Sequence, residues 1–76
     1  MDDFTKLFGR VLNVDAASLS ETTSPNSIPQ WDSLAAMNLV SAIEETYGVS
    51  LSARDIMAMR TIGLARQVLA KKNVKV

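Results

Sequence analysis

The 76-residue sequence contains no cysteine and no histidine. Without cysteine the chain can form neither a disulfide nor a thiolate metal site. Without histidine it lacks the side chain that most often acts as a general base or as a metal ligand. A core of this size also leaves little room for an enclosed substrate pocket. These absences argue against an enzyme, and against a hydrolase in particular.

Long apolar segments are absent as well. No apolar run approaches the roughly 20 residues of a membrane span. The first residues, Met1-Asp2-Asp3-Phe4, lack the basic start and apolar stretch of a signal peptide. We therefore expect a cytoplasmic protein. Since 47% of the residues are apolar, residues 1–76 are expected to form a single packed domain rather than a disordered chain. The protein is also expected to be a monomer.

The formal net charge is zero, but the charges are segregated along the chain. No lysine or arginine lies between Arg10 and Arg54, whereas acidic residues are spread over that segment. From Arg54 onward, Asp55 is the only acid among several basic residues. The acidic middle makes nucleic acid a poor partner, and the basic tail is too short and too poor in aromatics to bind it alone. Lys71 and Lys72 are interpreted as cations that complement a helix dipole.

The apolar spacing predicts an all-α fold, a small four-helix bundle with three longer helices, one short helix and a long first loop. The first helix should run from about residue 2 to residue 13, with Asp2 or Asp3 as its N-cap, because apolar residues recur there at helical spacing. Residues 15–30 are rich in serine and threonine and contain both prolines, which predicts a long loop. Leu19 and Ile28 are expected to hold this loop against the core.

A second helix should begin near Asp32 or Ser33 and end at Gly48, a residue type that favours the left-handed C-terminal position. Its predicted core-facing residues are Ala36, Leu39, Val40, Ile43 and Tyr47. Leu34 and Met37 do not lie on that face, so these two large apolar side chains are predicted to be exposed. Trp31 is expected to pack in the loop.

The last third of the sequence predicts two further helices. Ser52 and Asp55 form a capping-box pattern for a short helix through about Met59. Met57 and Met59 on that helix are assigned to the core in preference to a lining for a bound acyl chain. Thr61 should cap the last helix, whose inward-facing residues are Ile62, Ala65, Val68 and Leu69.

The segment Asp32-Ser33-Leu34 at the start of the second helix resembles the attachment motif of acyl carrier proteins. The likeness extends to Leu39-Val40, Ala42-Ile43-Glu44-Glu45, Tyr47-Gly48, Thr61-Ile62-Gly63 and the spacing of Val49, Leu51, Asp55 and Ile56. It covers essentially the whole chain. The resemblance implies that Ser33 receives 4′-phosphopantetheine from coenzyme A, through a separate Mg²⁺-dependent phosphopantetheinyl transferase. The thiol of that arm would then carry an acyl group as a thioester.

By spacing alone, an ordinary N-cap is the favoured interpretation of Ser33. Exposed apolar residues beside it, and an acidic rim, favour a docking face instead. Asp32 could cap the helix and, by resemblance, contact the transferase, while Glu44 and Glu45 match family acids that meet basic patches on ketosynthases, acyltransferases and other acyl-processing partners. Both glutamates could also be a solvated helix face. The predicted docking residues are Asp32, Leu34, Met37, Glu44 and Glu45.

Two positions depart from the carriers of bulk fatty-acid synthesis, which usually have acids where this chain has Ala35 and Asn38. This departure favours partners in polyketide, modified-lipid or other specialised acyl metabolism, because charge steering by fatty-acid enzymes would be weaker. Two alternatives remain open: a carrier of aminoacyl or peptidyl groups, and a helical protein-interaction module without a prosthetic group.

Overall fold

The computed structural model describes residues 2–76, and over these residues it is all-helical, as predicted. The helices are α1 (Asp3–Leu12), α2 (Ser33–Tyr47), α3 (Ala53–Ala58) and α4 (Ile62–Lys71). A short 3₁₀ helix, Ala16–Ser18, lies in the long loop after α1. No helix in this part of the chain is long and apolar enough to cross a membrane. The fold is a small four-helix bundle.

The helix ends follow local capping signals. Each of the four helices begins after a side chain that accepts a first-turn backbone N–H: Asp2, Asp32, Ser52 and Thr61. The capping box of Ser52 and Asp55 is present in both directions. Helix α2 ends at Gly48, whose φ of 65° places it in the left-handed region that glycine tolerates best. The predicted helix boundaries are therefore confirmed to within about one residue, which is the usual margin of assignment.

The core forms where α1 packs against α2 and α4. Phe8, completely buried, contacts Phe4 edge-on with ring centroids 5.1 Å apart. On its other side Phe8 meets the buried Trp31 with centroids 5.5 Å apart. Trp31 is thus a packing residue of the loop, as predicted. Leu19 and Ile28 are partly buried against the same core, which confirms that they hold the loop in place.

The buried face of α2 is rotated by roughly a sixth of a turn from the predicted one. Ala35 is buried together with Leu39 and Ile43, whereas Ala36 and Val40 are only half-buried. Ala36 and Val40 lie under α3, a helix of six residues of which none is buried. Because this short helix covers its side of α2 incompletely, the deepest burial shifts to the side that includes Ala35.

The assignment of Met57 to the core is wrong. Its side chain is 68% exposed, whereas Met59 is half-buried against the core. On α3, Ile56 lines the groove that faces α2. Asp55 forms an ion pair with Lys72 at the C-terminus of α4, with 2.9 Å between Oδ2 and Nζ. Since these two residues occupy the sides of α3 that face its neighbours, Met57 points to solvent.

The long loop is attached to α4 by backbone and side-chain bonds. Gly63 N–H donates to the Glu21 carbonyl at 2.9 Å, and Ile62 N–H donates to the Thr23 carbonyl at 3.2 Å. A Cβ at Gly63 would lie 3.1 Å from the Glu21 carbonyl oxygen, so glycine permits this close approach. Arg66 adds ion pairs to the carboxylates of Glu21 and Asp2. These contacts fix the loop that leads into α2.

Candidate functional site

Ser33 is the first residue of α2, and its side chain is exposed. The N-cap position belongs to Asp32, whose Oδ1 accepts the Ala35 N–H at 2.8 Å. Asp32 also accepts the Ala36 N–H at its backbone carbonyl. Within residues 2–76 the Ser33 hydroxyl has no hydrogen-bond partner. Of the two cap residues that the sequence offered, Asp32 does the capping, and the Ser33 hydroxyl is left free.

The chain just before Ser33 is held by packing. The Trp31 side chain is 5% exposed and rests edge-on against Phe8. Its backbone N–H donates to the Ile28 carbonyl at 3.3 Å, which closes a turn through Pro29. A buried anchor two residues before Ser33 and a capped helix after it give the exposed hydroxyl a defined position.

The electrostatic surroundings of Ser33 are compatible with an attached phosphodiester. The N–H groups of Ser33 and Leu34 make no hydrogen bond within residues 2–76. Free N–H groups and the positive end of the helix dipole favour an anion at this position. An exposed, unengaged hydroxyl at the same place supplies the oxygen to which a phosphoryl group can be joined. These residues therefore fit a covalently bound phosphopantetheine.

The residues next to Ser33 in the sequence supply no free base for its hydroxyl. The sequence has no histidine, and the nearest carboxylate along the chain, that of Asp32, is engaged with Ala35 N–H. A serine hydroxyl is a weak nucleophile without an adjacent base. Residues 2–76 also contain no group of three or more acidic side chains placed to hold a metal ion. In this part of the chain, the Ser33 hydroxyl is placed to accept a modification.

An exposed apolar surface lies next to Ser33. Leu34 and Met37 are 68% and 69% exposed, as predicted. They lie three residues apart and so share one face of α2. Met37 lines an open groove between α2 and α3 together with Ile56, which is also exposed. We call Leu34, Met37 and Ile56 the apolar patch. An exposed patch of this kind is typical of a protein-interaction site.

The charged residues around the apolar patch are of both signs. Asp32 and Glu45 are exposed at opposite ends of α2. Glu44 is half-buried, and its Oε2 accepts the Leu51 N–H at 2.8 Å, so this carboxylate holds the segment between α2 and α3. That structural role was not predicted.

Helix α3 and its C-terminal turn contribute the positive charge. Arg54 and Arg60 are exposed, and neither forms an ion pair within residues 2–76. The one acid of α3, Asp55, is held by the Ser52 backbone N–H and by Lys72, which together lower its carboxyl pKa from 3.8 to about 2. The outward surface of α3 is therefore basic. The change of charge sign at Arg54 was the sequence signal for it.

The family of the chain follows from comparison with known proteins. Residues 2–65 match the family model described as phosphopantetheine attachment site. No curated protein matches the chain significantly. Members of the matched family carry 4′-phosphopantetheine covalently on a serine. The match spans most of the chain and confirms the resemblance to acyl carrier proteins. The chain therefore belongs to the phosphopantetheine-attachment family and is a phosphopantetheine-carrying carrier protein.

Proposed function

We propose that this chain is a non-catalytic acyl carrier whose phosphopantetheine arm is attached to Ser33. The observation that carries the proposal is the exposed Ser33 hydroxyl, which Asp32 frees by taking over the capping of α2. When bound, the arm supplies a terminal thiol that carries an acyl group as a thioester. The residues of this chain hold the attachment point and present the surface that partner enzymes bind.

In this proposal the base that deprotonates Ser33 belongs to the phosphopantetheinyl transferase. The chain itself offers no histidine, and the Asp32 carboxylate accepts a backbone hydrogen bond. Asp32 keeps the start of α2 in place during the reaction. Because the hydroxyl is exposed at a helix terminus, an external active site can reach it without unfolding the bundle.

The proposed docking surface follows α2 away from Ser33. Its residues are Asp32, Leu34, Met37, Glu44 and Glu45. Leu34 and Met37 supply the apolar centre, since the buried centre of a protein interface is more apolar than its rim. Asp32 and Glu45, about 20 Å apart along the helix, supply charges that orient a partner. Glu44 acts mainly by fixing the chain at Leu51.

The charge pattern favours a dedicated partner in specialised acyl metabolism. The middle of the exposed α2 face is neutral at Asn38 and Ser41, and α3 adds the cations Arg54 and Arg60. A partner surface that is uniformly basic would be repelled by α3 and attracted only at the ends of α2. Enzymes of polyketide or modified-lipid synthesis whose docking surfaces carry mixed charge would fit better.

Asn38→Glu tests this preference. Ala35→Asp is unsuitable as a test because Ala35 is buried in α2. We expect the holo wild-type protein to be a poor substrate of a fatty-acid ketosynthase. Asn38→Glu should raise kcat/KM by about two- to fivefold, the effect of one exposed charge pair. Asn38→Gln, which adds length without charge, should leave kcat/KM unchanged. Wild-type activity equal to that of a fatty-acid carrier would refute the preference.

Enzymatic loading of the holo protein tests whether the arm carries acyl groups or amino acids. Incubation with coenzyme A, Mg²⁺ and a phosphopantetheinyl transferase should add one phosphopantetheine to the protein, seen by intact mass. The holo protein is then offered to purified acyl-activating enzymes and to amino-acid-adenylating enzymes from the same host. We expect thioester formation with an acyl group. Loading by amino acids alone would identify an aminoacyl carrier instead.

A further inference from the structure

The groove beside Ser33 leads to a much smaller cavity in the core. Ala36 and Met37, which line the groove, lie three and four residues after Ser33 and so on its side of α2. The groove is open to solvent and has a volume of about 250 Å³. The cavity beneath it measures only about 30 Å³ and shares Ala36, Val40 and Ile56 with the groove. Such a cavity accommodates about one water-sized group.

The inner wall of the cavity is made of tightly held aromatic side chains. Trp31 and Phe8 line it, 5% and 0% exposed, with their rings edge-to-face at an interplanar angle of 65°. Phe8 is held on its far side by Phe4. A chain of several carbons that extended inward from the groove would press against Trp31 and Phe8 and would have to displace them. Displacement would break the aromatic contacts and overpack the core, and both changes are unfavourable.

We propose, on the basis of the function proposed above, that Trp31 keeps the cargo out of the helical core and restricts this carrier to short or polar acyl groups. A short acyl group stays in the α2–α3 groove or in water. A long alkyl chain could lie only in this open groove and would stay partly exposed to water, which is unfavourable in proportion to the apolar area left uncovered. Trp31 is thereby a specificity-determining residue of the carrier.

The proposal is tested by loading acyl groups of increasing length. A transferase that accepts acyl-coenzyme A transfers acetyl-, butyryl- and octanoyl-phosphopantetheine to the wild-type protein, and intact mass verifies each product. Thermal unfolding and tryptophan fluorescence are then measured. Trp31 is the only tryptophan, so its emission reports directly on the cavity. In the wild type we expect the same Tm for the three forms to within about 1 °C and an unchanged emission maximum.

In variants that enlarge the cavity, the Tm should depend on the length of the acyl chain. In Trp31→Leu we expect the octanoyl form to unfold several degrees above the acetyl form, because apolar cavities bind apolar ligands. Met59→Ala opens the same cavity from α3 and keeps Trp31 as the fluorescent probe. Its octanoyl form should be stabilised too, with a shifted emission maximum. Met57→Ala, which removes an exposed methionine outside the cavity, should show no dependence on chain length.

The possible failures are distinct. A wild-type Tm that rises with chain length, accompanied by a shift in Trp31 emission, would overturn the proposal while leaving the carrier function intact. So would a lack of chain-length dependence in the folded cavity variants. If Trp31→Leu does not fold, Met59→Ala decides the question. If no acyl-phosphopantetheine is ever attached, the carrier function itself is refuted, and this inference with it.

Discussion

The Ser33→Ala variant should remain at its unmodified mass under conditions in which the wild-type protein is fully converted to the holo form. Alanine lacks the oxygen to which the phosphoryl group is joined. The stability of the variant should stay within about 0.5 kcal/mol of the wild type, as for most surface substitutions, because the Ser33 hydroxyl makes no hydrogen bond within residues 2–76. Intact mass after reaction with coenzyme A and a transferase, together with urea unfolding, measures both effects.

Two variants control for indirect effects. Ser41→Ala removes another exposed serine of α2 and should be modified like the wild type. Asp32→Ala removes the N-cap and should lower the free energy of unfolding by about 1 kcal/mol, a loss that Ser33→Ala should not show. Retention of the mass gain in Ser33→Ala, or its loss in Ser41→Ala, would place the arm at another residue.

Replacing Arg66 by methionine should lower the free energy of unfolding by about 2 kcal/mol. The guanidinium donates to both carboxylate oxygens of Glu21, at 2.8 and 2.9 Å, and to Asp2 at 2.6 Å. It also lies 5.1 Å from the centroid of the Phe4 ring. The side chains of Asp2 and Glu21 are 50% and 57% exposed, so water screens both ion pairs and limits their contribution to stability. Methionine preserves much of the apolar packing of the arginine stem.

Urea unfolding at neutral pH measures this effect. Arg66→Lys keeps the charge but cannot bind a carboxylate through two N–H groups of a planar guanidinium. Its free energy of unfolding should therefore lie between those of Arg66→Met and the wild type. Arg60→Met is the matched control, because Arg60 is exposed and forms no ion pair within residues 2–76. This substitution should change the free energy of unfolding little. Equal stability of Arg66→Met and the wild type would show that this cluster adds nothing to the fold.

The contacts of Asp2 with Thr5 and Arg66 should make the free energy of unfolding depend on pH in the acid range. The Thr5 N–H, with smaller contributions from Arg66, lowers the pKa of the Asp2 carboxyl from 3.8 to about 2. Because the folded-state pKa is the lower one, the stabilisation is fully present above about pH 4 and is lost as the pH falls towards 2. Arg66→Met should lose less stability over that interval than the wild type does.

The helix ends were predicted well because they are determined by residues close together in the sequence. The N-caps at Asp2, Ser52 and Thr61 and the C-cap at Gly48 act within one helical turn, so the sequence alone contains the information. The exposure of Leu34 and Met37 was predicted for the same reason, since the larger core residues of α2 define its buried face.

The features that were mispredicted or missed depend on contacts between distant parts of the chain. Ala35 and Ala36 have the same side chain, so only the short length of α3 decides which is buried deeper. Met57 was misplaced because the orientation of α3 depends on its contacts with α2 and α4. Arg66 contacts Glu21 and Asp2, which lie 45 and 64 positions before it in the sequence. No spacing rule predicts such contacts.

The position of the arm is tested most directly by fragmentation mass spectrometry of peptides from the wild-type protein, purified from the cells that produce it. We expect phosphopantetheine on the peptide that contains Ser33, with fragment ions that assign it to that residue. A holo protein whose Ser33 is unmodified and whose arm is carried by another serine or threonine would contradict this expectation.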